Sequence, residues 1–463
     1  MKWRIVLTIL FVLVLFTGFA YLYVNTFVRK HQHAVILFVV NGLDLNLLDQ
    51  ARHDLGRSSL LGDPDDPAIG DARRRAAYRN EILNVDSLWN VALLGIQDPG
   101  KPVPDEGADA TALACGARVD NGYVAINNSN EALRSLIYAA EQARRATGLI
   151  TTSSVVEPTP VAFYSTINGT PDPYRNANDL LYSGIDIILG GGEQYFIPAN
   201  AGNELGRRDG RNLIDEAKAR GYSIVYNRDD LNNVSTWRTR QLFGLFAPGP
   251  FYFSSLQPAN RRQPSLAEMT RTAISSLNYN IDGYFLVIEH NLVARAAGRN
   301  LGKIAVSEVA QVDEAIQSAV EYAGPDALVI VTNNYSLGSI APLAEPTAGD
   351  LIASPPAVDD RGLPVRLPPI PMAPPPQPAW LAGPGGPTFS HAQAAWLRQR
   401  EADGSFTTNA PAGLLQPQPA LRFQTQARPL AEPAWLASRG EGSVQLRGFI
   451  NNTDVFDIVS EQF

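Results

Sequence analysis

Three largely apolar runs restrict the fold most: AVILFVV at 34–40, YFLVIE at 284–289, which closes on Glu289, and ALVIVT at 327–332, which closes on Thr332. A strand with one wet face alternates apolar and polar residues. A strand that is apolar throughout is covered on both sides, and in sheets this coverage usually comes from helices crossing over parallel strands. Helix-length segments lie between such runs. The pattern predicts an amphipathic helix over Glu131–Thr147 that Gly148 ends, then a strand at Leu149–Ser153. It predicts another strand at Ile185–Leu189 running into three glycines, and a polar approach with a helix in 203–220 before a short strand near 222–226. Further helices are expected at Ser265–Leu277 and Lys303–Ala323, and a last strand at Val444–Phe449 before a short helix. This is an α/β chain, and 463 residues suffice for one large domain with a sizeable core. Ligand sites in open α/β sheets gather at the carboxyl ends of the strands.

Two segments stand apart. Ile5–Val24 is an apolar run of the length that spans a bilayer, with Lys2 and Arg4 before it and Arg29 and Lys30 after it. A secretory signal has a shorter apolar core, so 1–30 is expected to be one uncleaved transmembrane helix, with Gly18-Phe19-Ala20 as a weak cleavage alternative. From about 341 to 387 the composition turns proline-rich. LPPIPMAPPPQPAW at 367–380 is expected to be extended polyproline, either a partner-docking segment or a stiff surface excursion. A second Pro/Gln/Ala-rich stretch covers 410–439.

The formal net charge is −8, which argues against nucleic-acid binding. The single cysteine, Cys115, permits no intrachain disulfide, and five histidines are a thin supply for any multi-zinc site. The richest stretch is 97–122, QDPGKPVPDEGADATALACGARVDNG. Its segment DEGADATALACG reads as a loop entering a helix, and the N–H groups of a helix start attract negative charge.

That stretch resembles the nucleophile segment of the alkaline phosphatase family, V-P-D-S-x-x-x-A-T-A-x-x-C-G. Val103, Pro104, Asp105, Ala110, Thr111, Ala112, Cys115 and Gly116 fit it, and Glu106 stands where the family has its serine. Five further segments follow in family order: the strand ending at Asn41-Gly42, the 151–167 stretch TTSSVVEPTPVAFYSTI, the glycine triplet at 190–192, the strand ending at Glu289, and the strand followed by Asn333-Asn334-Tyr335. The resemblance covers about 33–340 plus His391. It implies a central mostly parallel sheet with helices on both faces, an exported domain over 31–463 with a proline-rich insertion at 341–387, and a family chemistry based on zinc and magnesium.

Residue by residue, the resemblance implies a changed site. The aspartate that bridges two cations in the family is Asn41, a residue that also fits simply as a turn former. The first zinc position retains His391 but has Ala294 and Gly298 in place of its other ligands, and the second has Asn41, Asn334 and Tyr335. The magnesium position retains Thr159 and Glu289. Arg175 stands where the family grips phosphate, and Glu106 either pairs with it and holds the pocket closed or is simply an acidic residue that suits a helix start. His290 is a weak substitute ligand.

These residues point to a membrane-anchored, alkaline-phosphatase-like protein that has lost most or all phosphomonoesterase activity and acts in binding or scaffolding. No cofactor is expected; if one binds, magnesium or another divalent cation suits the oxygen donors better than zinc. The alternatives are an active metal-dependent phosphomonoesterase with a rebuilt site, recruiting Glu106, Glu157, Glu289, His290 or Asp44, and an interaction protein that uses the proline-rich segment. Expected associations are the inner or plasma membrane by a single pass, a protein partner at the proline-rich stretch, and a homodimer.

Overall fold

The computed structural model describes residues 2–23, 34–58, 83–97, 103–200, 206–257, 263–299, 301–335, 340–341, 422–423 and 433–463. His391 and the proline-rich segment lie outside the described residues. The strands in chain order are β1 Ala34–Val40, β2 Asn90–Gly95, β3 Tyr123–Val124, β4 Ala146–Ser154, β5 Ile167–Asn168, β6 Ile187–Gly191, β7 Ser223–Val225, β8 Leu242–Leu245, β9 Tyr284–His290, β10 Leu328–Thr332, β11 Ile340–Ala341, β12 Arg422–Phe423, β13 Ala434–Arg439 and β14 Gly448–Asn451.

Ten of them form one sheet in the order β14-β2-β13-β10-β1-β9-β4-β6-β8-β7. The pairings from β10 through β1 and β9 to β7 are all parallel. β13 runs antiparallel to both of its neighbours. The alternation of side chains along β1 shows why its run is apolar throughout. Ile36, Phe38 and Val40 join a core with the helices Leu45–Ser58, Leu266–Leu277 and Gly302–Ala323. Val35, Leu37 and Val39 join a second core with Glu106–Cys115, Leu136–Gln142, Pro173–Tyr182 and Asp454–Ser460. Helices therefore cover both faces of a mostly parallel sheet, as expected.

Register brings the strand ends level. Val39 pairs with Glu289 on one side and Thr332 on the other, and Thr151 pairs with Glu289. The residues just past these positions (Asn41, His290, Asn333) therefore lie along one edge.

Three expectations fail locally. The Glu131–Thr147 helix is only Leu136–Gln142, because the Ser135 side chain caps it at the Tyr138 N–H and Glu131 is turned back to Asn127. Gly148 is not a helix terminator but sits inside β4, where a Cβ would come within 2.7 Å of Leu286. The last strand is Gly448–Asn451, with a 3-10 turn at Ser443–Gln445 where the strand was expected to start.

Lys2–Tyr23 is a single 22-residue helix with Leu10, Phe11, Phe16 and Phe19 all exposed. Among the described residues no helix is long and apolar enough to cross a membrane.

Candidate functional site

The Glu106–Cys115 helix begins where the sequence placed it. Asp105 is its N-cap, accepting from the Ala108 N–H at 2.8 Å and from the Gly122 N–H at 2.6 Å. Gly116 closes the helix in the left-handed conformation, φ +66°, where a Cβ would meet the Phe456 ring. This fixes Glu106 at the first helical position, beside the carboxyl ends of β1, β4 and β9.

Asn41, one residue past β1, is the hub of the cluster. Its fully buried amide Nδ2 donates to Glu289 Oε1 at 2.9 Å and stands 3.2 Å from both Glu106 Oε1 and Thr159 Oγ1. Thr159 Oγ1 donates in turn to Glu106 Oε1 at 2.8 Å. The other oxygen of Glu289 accepts from Thr151 and, at 3.1 Å, from Ser153. Asn334 Nδ2 donates to the Glu106 backbone carbonyl at 3.0 Å. The two N–H groups of this amide serve at most two of the three neighbouring acceptors at once.

Burial is the main reason that the acids here hold protons. It pushes Glu106 up to about 7, helped by the charge of Glu157 and opposed by the Thr159 hydrogen bond and Arg295. It pushes Glu289 up to about 8, opposed by the Thr151 hydrogen bond and helped by Glu106 and Glu157. The cation of the pocket is Arg295, which grips both oxygens of Glu157 at 2.7 and 2.8 Å. Burial works against its charge, but Glu157, Glu106 and Glu289 outweigh that and leave its pKa above the ordinary value.

Arg175 does not take the place expected for it. Its half-exposed side chain donates to Thr166 at 3.0 Å and lies 3.5 Å from Asp179, and the guanidinium acting on Glu106 is that of Arg295. The physical reason is local, because the Pro173–Tyr182 helix places Asp179 one turn from Arg175. His290 faces away from Glu289. Its Nδ1 is 3.1 Å from Thr152 Oγ1, its Nε2 is 3.5 Å from Glu308, and burial lowers it to about 3, so it is neutral. Asp44 accepts from the Leu47 N–H and caps the Leu45–Ser58 helix. The sequence reading overlooked Arg295 and the hydroxyls of Thr151 and Ser153. A lone charge in LVARAAG was the available signal for Arg295.

The donors do not fit zinc. Ala294 and Gly298 carry none, Ala294 packs against Gly42, and Asn334 donates its Nδ2 to a backbone carbonyl and keeps only a neutral amide oxygen. For magnesium, Thr159 and Glu289 offer oxygens, but Asn41 presents N–H groups to the same space. Among the described residues no three His, Cys, Asp or Glu side chains are grouped to hold a metal ion. At the helix start there is a carboxylate, and the nearest hydroxyl, on Thr159, donates to it.

A family model described as alkaline phosphatase matches residues 69–349. Alkaline phosphatase 3 of Bacillus subtilis (strain 168) is 34% identical over 252 residues, covering 52% of this chain and 51% of that protein. The human tissue-nonspecific alkaline phosphatase isozyme is 28% identical over 353 residues, covering 67% and 64%. The chain thus spans about half the length of the Bacillus relative. Among solved structures, the alkaline phosphatase of Thermus thermophilus superposes with a TM-score of 0.66 at 20% identity, covering 95% of this chain and 94% of that one. The enzyme from the Antarctic bacterium TAB5 gives 0.62 at 17%, covering 93% and 97%; at such identities the likeness is one of fold. Matched by the family model over more than half of its length, the chain belongs to the alkaline phosphatase family.

Proposed function

We propose that this member of the family no longer works as a metal-dependent phosphomonoesterase and acts in binding or scaffolding at a membrane. The observation that carries the reading is the Asn41 amide, whose N–H groups face Glu106, Thr159 and Glu289, where a divalent cation would need oxygen. The loss of a nucleophilic hydroxyl at position 106 and of donors at 294 and 298 supports it. The Lys2–Tyr23 helix would anchor the chain by a single pass in the inner or plasma membrane, with the main domain exported. A homodimer and a protein partner at the proline-rich 367–380 segment belong to the same proposal. The test is to expose the full chain to zinc, magnesium, calcium and manganese, then measure bound metal by elemental mass spectrometry and hydrolysis of an aryl phosphate. The expected result is far less than one ion per chain and no turnover above the heat-denatured sample. Stoichiometric metal together with turnover would overturn it.

One observation favours a second reading. The Oδ1 atoms of Asn41 and Asn334 are buried without hydrogen bonds beside Glu106, Thr159 and Glu289. Turning the Asn41 amide would give an all-oxygen donor set of the kind that magnesium, manganese or calcium takes. In that reading the chain is an active phosphomonoesterase with a rebuilt site.

A further inference from the structure

One turn along the nucleophile-position helix from Glu106, and sharing no lining residue with the Asn41 cluster, lies a cavity of about 160 Å³. Ile96, Ala108 and Ala112 give it apolar walls, and Asp109, Arg118 and Asn452 give it polar ones. Asp109 is 1% exposed. Its Oδ1 accepts from Asn452 Nδ2 at 2.5 Å, while its Oδ2 is buried and has no hydrogen-bond partner. Arg118, which also lines the cavity, donates to the Gly95 carbonyl at 2.8 Å and to Asn451 at 3.2 Å. A buried carboxylate oxygen without a donor costs free energy. A ligand that brings an N–H donor removes that cost.

We propose that this cavity binds a small primary ammonium compound with a short alkyl tail, its –NH3+ donating to Asp109 Oδ2 and its tail lying against Ile96, Ala108 and Ala112. The volume suits about five non-hydrogen atoms, with a water molecule taking ~30 Å³ for comparison. Without ligand, burial holds the Asp109 carboxyl well above the usual carboxylate range, against the Asn452 hydrogen bond and the Arg118 charge. Binding of the cation therefore favours the ionised form of Asp109. The O–H bond breaks, the proton leaves to solvent, and the carboxylate pairs with the ammonium.

The probe is n-butylammonium chloride, titrated calorimetrically into the full chain at fixed ionic strength in two buffers of different ionisation enthalpy. Saturable binding with net proton release is expected, with n-butanol binding much more weakly. Asp109→Asn keeps an acceptor for Asn452, and it should weaken binding about tenfold or more and abolish proton release. Ala112→Leu, which fills the cavity, should also weaken binding if Asp109→Asn fails to fold. The proposal is overturned by absence of saturable binding to the parent chain, by n-butanol binding equally well, or by unchanged affinity in either folded variant.

Discussion

Replacing Asn41 by Asp restores the family carboxylate and tests what the amide does. The substitution removes a donor 2.9 Å from Glu289 and 3.2 Å from Glu106 and leaves a third carboxyl facing two others. Each lost hydrogen bond to a charged acceptor is worth about 1.5–3 kcal/mol. Two full charges ~3 Å apart at an effective dielectric of ~20 repel by about 5 kcal/mol. Protonation limits that cost, since Glu106 and Glu289 already hold protons up to about 7 and about 8. The metal-free variant should therefore lose about 3 kcal/mol near pH ~8 and about 1 kcal/mol near pH ~5.5, each pH unit of forced protonation costing ~1.4 kcal/mol.

Thermal unfolding of the full chain, followed by circular dichroism with chelator present, reads this as a Tm lower by about 5 °C at the higher pH. Millimolar magnesium should then raise the Tm of the variant and leave the parent unchanged, because only the variant offers the cation an inward carboxylate. A variant that unfolds within error of the parent at the higher pH refutes the idea that the amide holds this cluster together. Equal protection of parent and variant by magnesium would instead mean that Asn41 does not exclude the cation.

Breaking the Arg295–Glu157 pair with Arg295→Gln should cost about 1–2 kcal/mol, discounted for its partial exposure. Arg175→Gln should stay within ~0.5 kcal/mol, and both are read from unfolding midpoints. Gly42→Ala, at φ +78° with its Cβ 2.8 Å from Ala294 Cα, should cost about 2 kcal/mol or more, with a lower Tm as the readout. The parent should also lose stability as pH rises. Glu289 is fully buried and goes from an ordinary 4.5 to about 8 on folding. The folded state thus binds the proton more tightly; its contribution is complete below the unfolded value and disappears as pH climbs through the folded one. Tm measured from pH ~5 to ~8 should fall, and Glu289→Gln should flatten the slope.

The strands covered by helices on both faces could be read because their apolar runs leave no other arrangement. The same reasoning had no purchase on the sheet's outer part. Ala434–Arg439 lies in a Pro/Gln/Ala-rich stretch, and its pairing with β10 and β2 reaches across distances that no local pattern records. Asn90–Gly95 alternates buried and exposed, and its six residues drew no attention. The N-cap at Asp105 was visible because caps are local. The Glu157–Arg295 pair spans 138 positions, so nothing near either residue announces the other. Arg175 was given a role by the family pattern, but the chain supplied a nearer partner in Asp179, four residues away.

The altered positions support one physical account. A family site built around cations leaves converging carboxylates that cannot all stay charged without them. Here several buried groups at the same strand ends pair with one another, although the Oδ1 atoms of Asn41 and Asn334 have no hydrogen bond: Asn41 joins Glu289, Glu106 and Thr159, Asn334 joins the Glu106 carbonyl, and Arg295 joins Glu157. Scaffold contacts run beside these and do not depend on them. Asn333 Oδ1 accepts from the Trp435 N–H at 2.7 Å, and the Trp435 indole donates to the Leu43 carbonyl at 2.8 Å. The Asn41→Asp variant separates a closure of this kind from a cation site awaiting its metal.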